Sequence, residues 1–113
     1  MHEYSIAYDI YLASKKAAME NKASRINKIH VDMGEMVIAN PEQVRFLFDV
    51  IVEEEELFDG AELVFTSIDP LARCGCGYQG HEIFSCPRCG GVPEVLKGRE
   101  IIVTRMEIEV AEE

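Results

Sequence analysis

The chain has 113 residues, 48% of them apolar, and a net charge of −10; this is one domain's length, or a compact domain plus a small module, and disorder over most of it is excluded. Residues 1–69 carry 14 acidic and 6 basic side chains, a net of −8, so the body would repel a phosphate backbone and no nucleic-acid partner is expected. No run approaches the roughly 20 apolar residues of a membrane span, and the start has no basic, then apolar, leader, so a cytoplasmic chain with no membrane contact and with reduced thiols is expected.

Residues 3–21 read as a helix. Tyr4, Ala7, Tyr8, Tyr11 and Ala18 recur at helical spacing, with Ile6, Ile10, Ala13 and Ala17 beside them. The tyrosine stripe is expected to be a packing surface rather than a cofactor box. Residues 26–36 alternate, with Ile29, Val31 and Met33 on one face and Lys28, His30 and Asp32 on the other, as in a half-buried strand. His30 is thus expected to be a solvated histidine.

A second helix starts at Asn40, a good N-cap, followed by Pro41 at the first helical position and by Gln43, which can complete a capping box. Val44, Leu47, Phe48 and Ile51 form its apolar stripe. The acidic run Glu53–Glu56 is read as a solvated helix end, although like charges at a helix C-terminus are unfavourable; a basic partner or a cation is the other reading. Asp59-Gly60 is a turn, and residues 61–69 form a second strand closed by Pro70. Residues 100–110 form a third, with Ile102, Thr104, Met106, Ile108 and Val110 on one face. Arg105, Glu107 and Glu109 lie on the other, together with Ile101 and Val103.

The fold class expected is α+β: two helices packed on one face of a small three-stranded mixed sheet, with an inserted four-cysteine zinc module. The unit from 26 to 69 should place its two strands parallel. The strands flanking the cysteine segment should pair antiparallel, with that segment as their hairpin tip. Residues 1–70 plus 99–113 would form one α/β domain and residues 71–98 a separate module.

Cys86-Pro87-Arg88-Cys89-Gly90 carries two thiolates at the spacing that grips one tetrahedral ion, with backbone N–H groups free to donate to sulfur. Cys74-Gly75-Cys76-Gly77 has the same residue types at one residue shorter spacing, and its glycines let the backbone turn both sulfurs inward. A redox dithiol lacks its usual βαβ context here, and iron can also take four thiolates. Zinc is the reading adopted, held by Cys74, Cys76, Cys86 and Cys89 in a closed structural site. His81 falls between the pairs and is read as a loop residue.

The Met1-His2-Glu3 start has chemistry of its own. Retained Met1 would place a terminal amine, the His2 amide nitrogen and the His2 imidazole on one short stretch of chain, a set suited to square-planar Ni(II) or Cu(II). Glu3 adds an amide nitrogen and a carboxylate. On residues alone such a start reads as an ordinary chain end. Taken with the helix behind it, the strand ending Gly34-Glu35 and the late Ala-Arg-Cys…Cys-Pro-Arg-Cys-Gly-Gly module, the whole chain resembles the HypA/HybF family of nickel-insertion proteins.

That resemblance implies a nickel-binding metallochaperone for [NiFe] hydrogenase maturation. His2 would be the indispensable ligand for transferable Ni(II), with Met1 and Glu3 beside it, and the cysteines would hold structural Zn(II). The implied partners are a HypB-type GTPase and the hydrogenase large-subunit precursor, with the chain itself a monomer or weak homodimer. There are two departures: a CxC where the family usually has CxxC, and Asn40 where several relatives carry a carboxylate near the nickel. The alternative is an adaptor whose zinc module contacts proteins without metal transfer. An enzyme is not expected, since no nucleophile–base pair and no open metal position is visible.

Overall fold

The computed structural model describes residues 3–111. In chain order the elements are α1 (Glu3–Glu20), β1 (Ala23–Gly34), α2 (Pro41–Ile51), a 3₁₀ turn at Glu56–Phe58, β2 (Glu62–Ile68), β3 (Leu71–Arg73), β4 (Gln79–Gly80), β5 (Glu94–Lys97) and β6 (Ile101–Val110). The main sheet has the order β2-β1-β6, with β1 parallel to β2 and antiparallel to β6. A second sheet, β4-β3-β5, is antiparallel and frames the cysteines.

Two helices on a three-stranded mixed sheet are as expected, but the hairpin of the second and third strands is not. β1 lies between β2 and β6, so the strands that flank the cysteine segment sit on opposite edges. The reason is apolar content: β1 buries Ile26, Ile29, Val31 and Met33 and so claims the centre, where both neighbours can cover it.

The core joins Ile6, Ala7, Ile10 and Ala18 of α1 to Val44 and Phe48 of α2, with Phe58 and Leu63 and the β1 side chains. Ser14, also fully buried, lies in the same α1 face and donates its hydroxyl to the Ile10 carbonyl at 2.6 Å, so no polar group is orphaned there. The tyrosines are not in that face. Tyr4 and Tyr8 are exposed on the flank of α1, and their rings run at 6.3 and 5.7 Å to Tyr11, which packs 5.5 Å from Phe58. Their spacing of four and three residues gives a stripe, but one turned away from the buried Ile6–Ile10–Ser14 line.

Three bulges interrupt the β1–β6 pairing, the first leaving Ser24 extra between Ala23, opposite Val110, and Arg25, opposite Glu109. Ile26 and Lys28 pair with consecutive residues Ile108 and Glu107, leaving Asn27 extra; His30 and Val31 pair with Arg105 and Val103, leaving Thr104 extra. Each extra residue reverses the alternation. Ile101 and Val103 therefore pack on the core together with Met106 and Ile108, while Ile102 is exposed, contrary to the face read from strict alternation. His30 is likewise not freely solvated: its side chain is half-buried, with Nε2 3.0 Å from the Glu107 carboxylate and 3.1 Å from the Arg105 guanidinium. This ring holds the Glu107 carboxyl below the usual range.

The second helix starts as expected. Asn40 Oδ1 accepts from the backbone N–H of Glu42 at 2.9 Å and of Gln43 at 3.4 Å. Within the acidic run, Glu55 turns back to Lys15 at 2.7 Å, which lowers the carboxyl and raises the ammonium from their ordinary values; Glu53, Glu54 and Glu56 stay in solvent. No helix among the described residues is long and apolar enough to cross a membrane.

Candidate metal centre

The second sheet exists to bring two tight turns face to face. Cys74 follows directly on β3, and its N–H donates to the Tyr78 carbonyl at 2.8 Å while Gly77 N–H donates back to the Cys74 carbonyl at 2.9 Å. Gly77 holds φ of +102°, which the reversal requires. The second turn closes with Cys86 N–H on the Gly91 carbonyl at 2.7 Å and Gly90 N–H on the Cys86 carbonyl at 2.8 Å.

Together the turns place all four thiols in one cluster, with no disulfide. Every Sγ lies within 4.8 Å of the others, with Cys74–Cys89 at 3.4 Å and Cys76–Cys86 at 3.6 Å. A zinc–sulfur bond of about 2.3 Å gives tetrahedral edges of about 3.8 Å, so the donor set fits one such ion. The short Cys74–Cys76 spacing does not keep Cys74 out. Arg88 N–H donates to Cys86 Sγ and Gly91 N–H to Cys89 Sγ, both at 3.4 Å; such donors stabilise thiolate charge.

The thiols do not titrate alike. Burial opposes charge at Cys86, but the amides of Cys89 and Arg88 and the neighbouring thiols outweigh it, lowering the group to about 6. At Cys89 the Gly91 amide favours the thiolate, yet the three other sulfurs push the group up to about 12. Four sulfurs this close cannot all be anionic unless a cation lies among them.

His81 is outside the cluster. Its Nδ1 donates to the Pro70 carbonyl at 2.6 Å, pinning the loop to the point where the chain leaves the main sheet. The main-chain framework around the sulfurs, β3, β4 and β5 with Tyr78 as an acceptor, was not legible in the sequence. Its strands run only two to four residues, too short for periodicity to appear.

In the main domain, Glu3 opens α1 and shares a shallow groove of about 500 Å³ with Tyr4, Asn40, Gln43 and Leu47. The α2 N-cap and the start of α1 therefore meet at one place. Met1 and His2 lie outside the described residues.

Comparison with known proteins identifies this arrangement. The model described as "HypA: Hydrogenase/urease nickel incorporation, metallochaperone, hypA" matches residues 1–108. The chain belongs to the HypA family. It is 39% identical to the hydrogenase maturation factor HypA of Methanocella arvoryzae, over 97% of this chain and all of that one. With the HypA of Methanothermobacter thermautotrophicus it shares 32% identity, covering 96% and 98% of the two chains. The solution structure of the Ni metallochaperone HypA from Helicobacter pylori superposes with a TM-score of 0.79 over 98% of this chain and 100% of that chain; at 20% identity, it supports the fold alone. HypA-family proteins are chaperones and not catalysts, in keeping with a cysteine set whose four thiols would close the coordination of a tetrahedral ion.

Proposed function

We propose that this HypA-family chain carries Ni(II) at its N-terminus for insertion into a [NiFe] hydrogenase, and holds Zn(II) structurally at Cys74, Cys76, Cys86 and Cys89. The supporting observation is that the family match begins at residue 1 and so includes Met1-His2-Glu3 as well as all four cysteines. The terminal amine, the amide nitrogens of His2 and Glu3 and the His2 imidazole form consecutive chelate rings. Ni(II) favours such a square-planar nitrogen set and displaces the amide protons. Glu3 fixes the outlet of this segment, since it is already helical.

Zinc is the ion proposed for the sulfurs because four thiolates in closed tetrahedral array leave no site for chemistry. The partners proposed are a HypB-type GTPase and the large-subunit precursor, encountered in the cytoplasm. The two sheets would divide the work, the larger bearing nickel and residues 71–98 bearing zinc.

The test is nickel titration of the purified chain by calorimetry, with zinc content measured in parallel. His2→Ala, or one residue added before Met1, is expected to abolish stoichiometric nickel binding and leave about one zinc per chain. The substitution removes the imidazole, whereas the extension keeps it and displaces the amine. Nickel should also leave as pH falls through the region of a free histidine, about 6.5 and lower where metal competes with protons. Parent-like nickel affinity in both variants would place the nickel site elsewhere.

A further inference from the structure

Each helix of the main domain buries one side against the sheet and leaves another apolar side in solvent. On α1 the exposed residues are Tyr8, Leu12 and Met19, at 41%, 47% and 65%; on α2 they are Phe46 and Val50, one turn apart, at 62% and 54%. Single exposed apolar residues are ordinary. These five, however, occupy positions half a turn or so from the buried lines Ile6–Ile10–Ser14 and Val44–Phe48, on two helices held side by side. They therefore share the outward side of the helix pair.

Charge is one-sided at the α2 end of this side, whereas α1 carries Lys15 and the exposed Lys16 beside Leu12 and Met19. Residues 41–62 contain eight carboxylates against Arg45, a net of −7 out of the chain's −10. Three of these acids have a cation beside them, Glu42 with Arg45, Glu55 with Lys15 and Asp59 with Arg25; Asp49, Glu53, Glu54 and Glu56 have none among the described residues. The last turn of α2 contains no basic residue; acids crowded at a helix C-terminus weaken it, so helix stability does not account for them. Beside this end lies a groove of about 360 Å³ with Val52, Phe58 and Ala61 lining it, walled by acids that include Asp49, Glu53 and Glu54. An apolar lining beneath carboxylates suits a lysine or arginine, whose stem packs below while its cation meets the acids.

We propose that the outward side of α1 and α2, together with this groove, is a docking surface for a basic amphipathic helix of a partner protein. The apolar stripe of such a helix lies along Phe46, Val50 and Leu12, in the manner of helix-in-groove recognition, and its cations meet the acids beyond α2. A second copy of this chain is a poor occupant, since it would set a region of −7 against another of −7. This inference does not depend on where nickel binds.

The probe is a synthetic helical peptide of about 18 residues, long enough for roughly five turns, with leucines along one side and lysines elsewhere. A counterpart with glutamate for lysine is the control. Binding to the full metal-loaded chain is read by calorimetry and by backbone amide shifts at about 0.15 M salt, where long-range attraction is screened. The lysine peptide should bind and shift Leu12, Phe46, Val50, Glu53 and Glu54, and the glutamate peptide should not bind. Phe46→Ser with Val50→Ser, which leaves the net charge unchanged, should weaken binding at least tenfold. Glu53→Gln with Glu54→Gln should weaken it and flatten its salt dependence.

All four substitutions are at exposed positions, and amide spectra of the free variants check that the fold persists. Undiminished binding in the Phe46/Val50 variant would reduce the interaction to bulk charge and overturn the proposal. Failure of the lysine peptide to bind the parent, or self-association of the parent lost on Phe46→Ser, would overturn it as well. Nickel titration of the same variants should match the parent, so this proposal and the nickel assignment fail separately.

Discussion

Gly34 and Gly98 meet backbone to backbone where β1 ends and the chain returns from the cysteine module. A Cβ on Gly34 would fall on the Gly98 carbonyl group, and one on Gly98 would lie 2.9 Å from the Pro70 Cα, at a φ of +115°. The approach is held by Gly34 N–H on the Glu100 carbonyl at 2.9 Å and Met36 N–H on the Gly98 carbonyl at 2.8 Å. Gly34→Ala and Gly98→Ala should each cost about 2–3 kcal/mol by overpacking and, at Gly98, backbone strain; denaturant unfolding measures it. The Glu100 carboxylate accepts from Arg99 N–H at 2.7 Å and Gly98 N–H at 3.1 Å, and the first of these leads in lowering its pKa. Because the folded value is depressed, its stabilisation is present above the ordinary carboxyl range and is lost as pH falls through the lowered value. Glu100→Gln should therefore flatten the acid limb of a stability–pH curve.

At Cys74 the short spacing is accommodated by the Cys74–Tyr78 turn. Replacing Cys74 by Ser should lower zinc affinity about as much as replacing Cys76, by competition against a chromophoric chelator. Parent affinity in the Cys74 variant would remove it from the ligand set.

At the scale of elements, Thr104 decides which residues of β6 face the core. Deleting it should close the β1–β6 pairing into strict alternation with Ile101 and Val103 still on the core face beside Met106 and Ile108, so the cost should be only about 1 kcal/mol, the lost Thr104 hydrogen bond to the His30 carbonyl; thermal unfolding of the deletion variant checks this. This insertion explains where the sequence was legible and where it was not. α1, α2 and the long strands announced themselves through periodicity and through the Asn40-Pro41 cap, all properties of nearby residues. A bulge is defined only by two strands in register, so the reversed faces of Ile101 and Val103 could not be read from β6 alone. The central place of β1 is likewise a matter of partners, as is the half-burial of His30 beneath Glu107 and Arg105. The cysteines were legible because metal ligation is a local residue pattern; the short strands that aim them were not.

Taken whole, the molecule is elongated, with principal extents of 61 × 28 × 16 Å and a radius of gyration of 17.6 Å, against about 13 Å for a compact chain of this length. The buried side chains of residues 71–98 are Ala72, Cys74, Cys86 and Pro93, so metal, worth roughly 10–16 kcal/mol in small zinc peptides, must supply most of the order there. Chelation should collapse amide protection across β3, β4 and β5 while β1, β2 and β6 stay protected, as hydrogen exchange followed residue by residue would show.

The meeting of Pro70 with Gly98 makes the cysteine segment a detour with a common entrance and exit. β2 delivers the chain to this point, and β6 departs from beside it. A detour of that kind can be cut out and the ends rejoined. Residues 1–69 and 99–113 linked by two or three glycines should close a chain gap shorter than a single turn and retain the main sheet. Such a shortened protein is expected to show the parent's β1–β6 amide pairing and the same nickel stoichiometry with no zinc. The same opening would let an unrelated turn-closed segment be set in place of residues 71–97, making the main sheet a carrier for exchangeable heads.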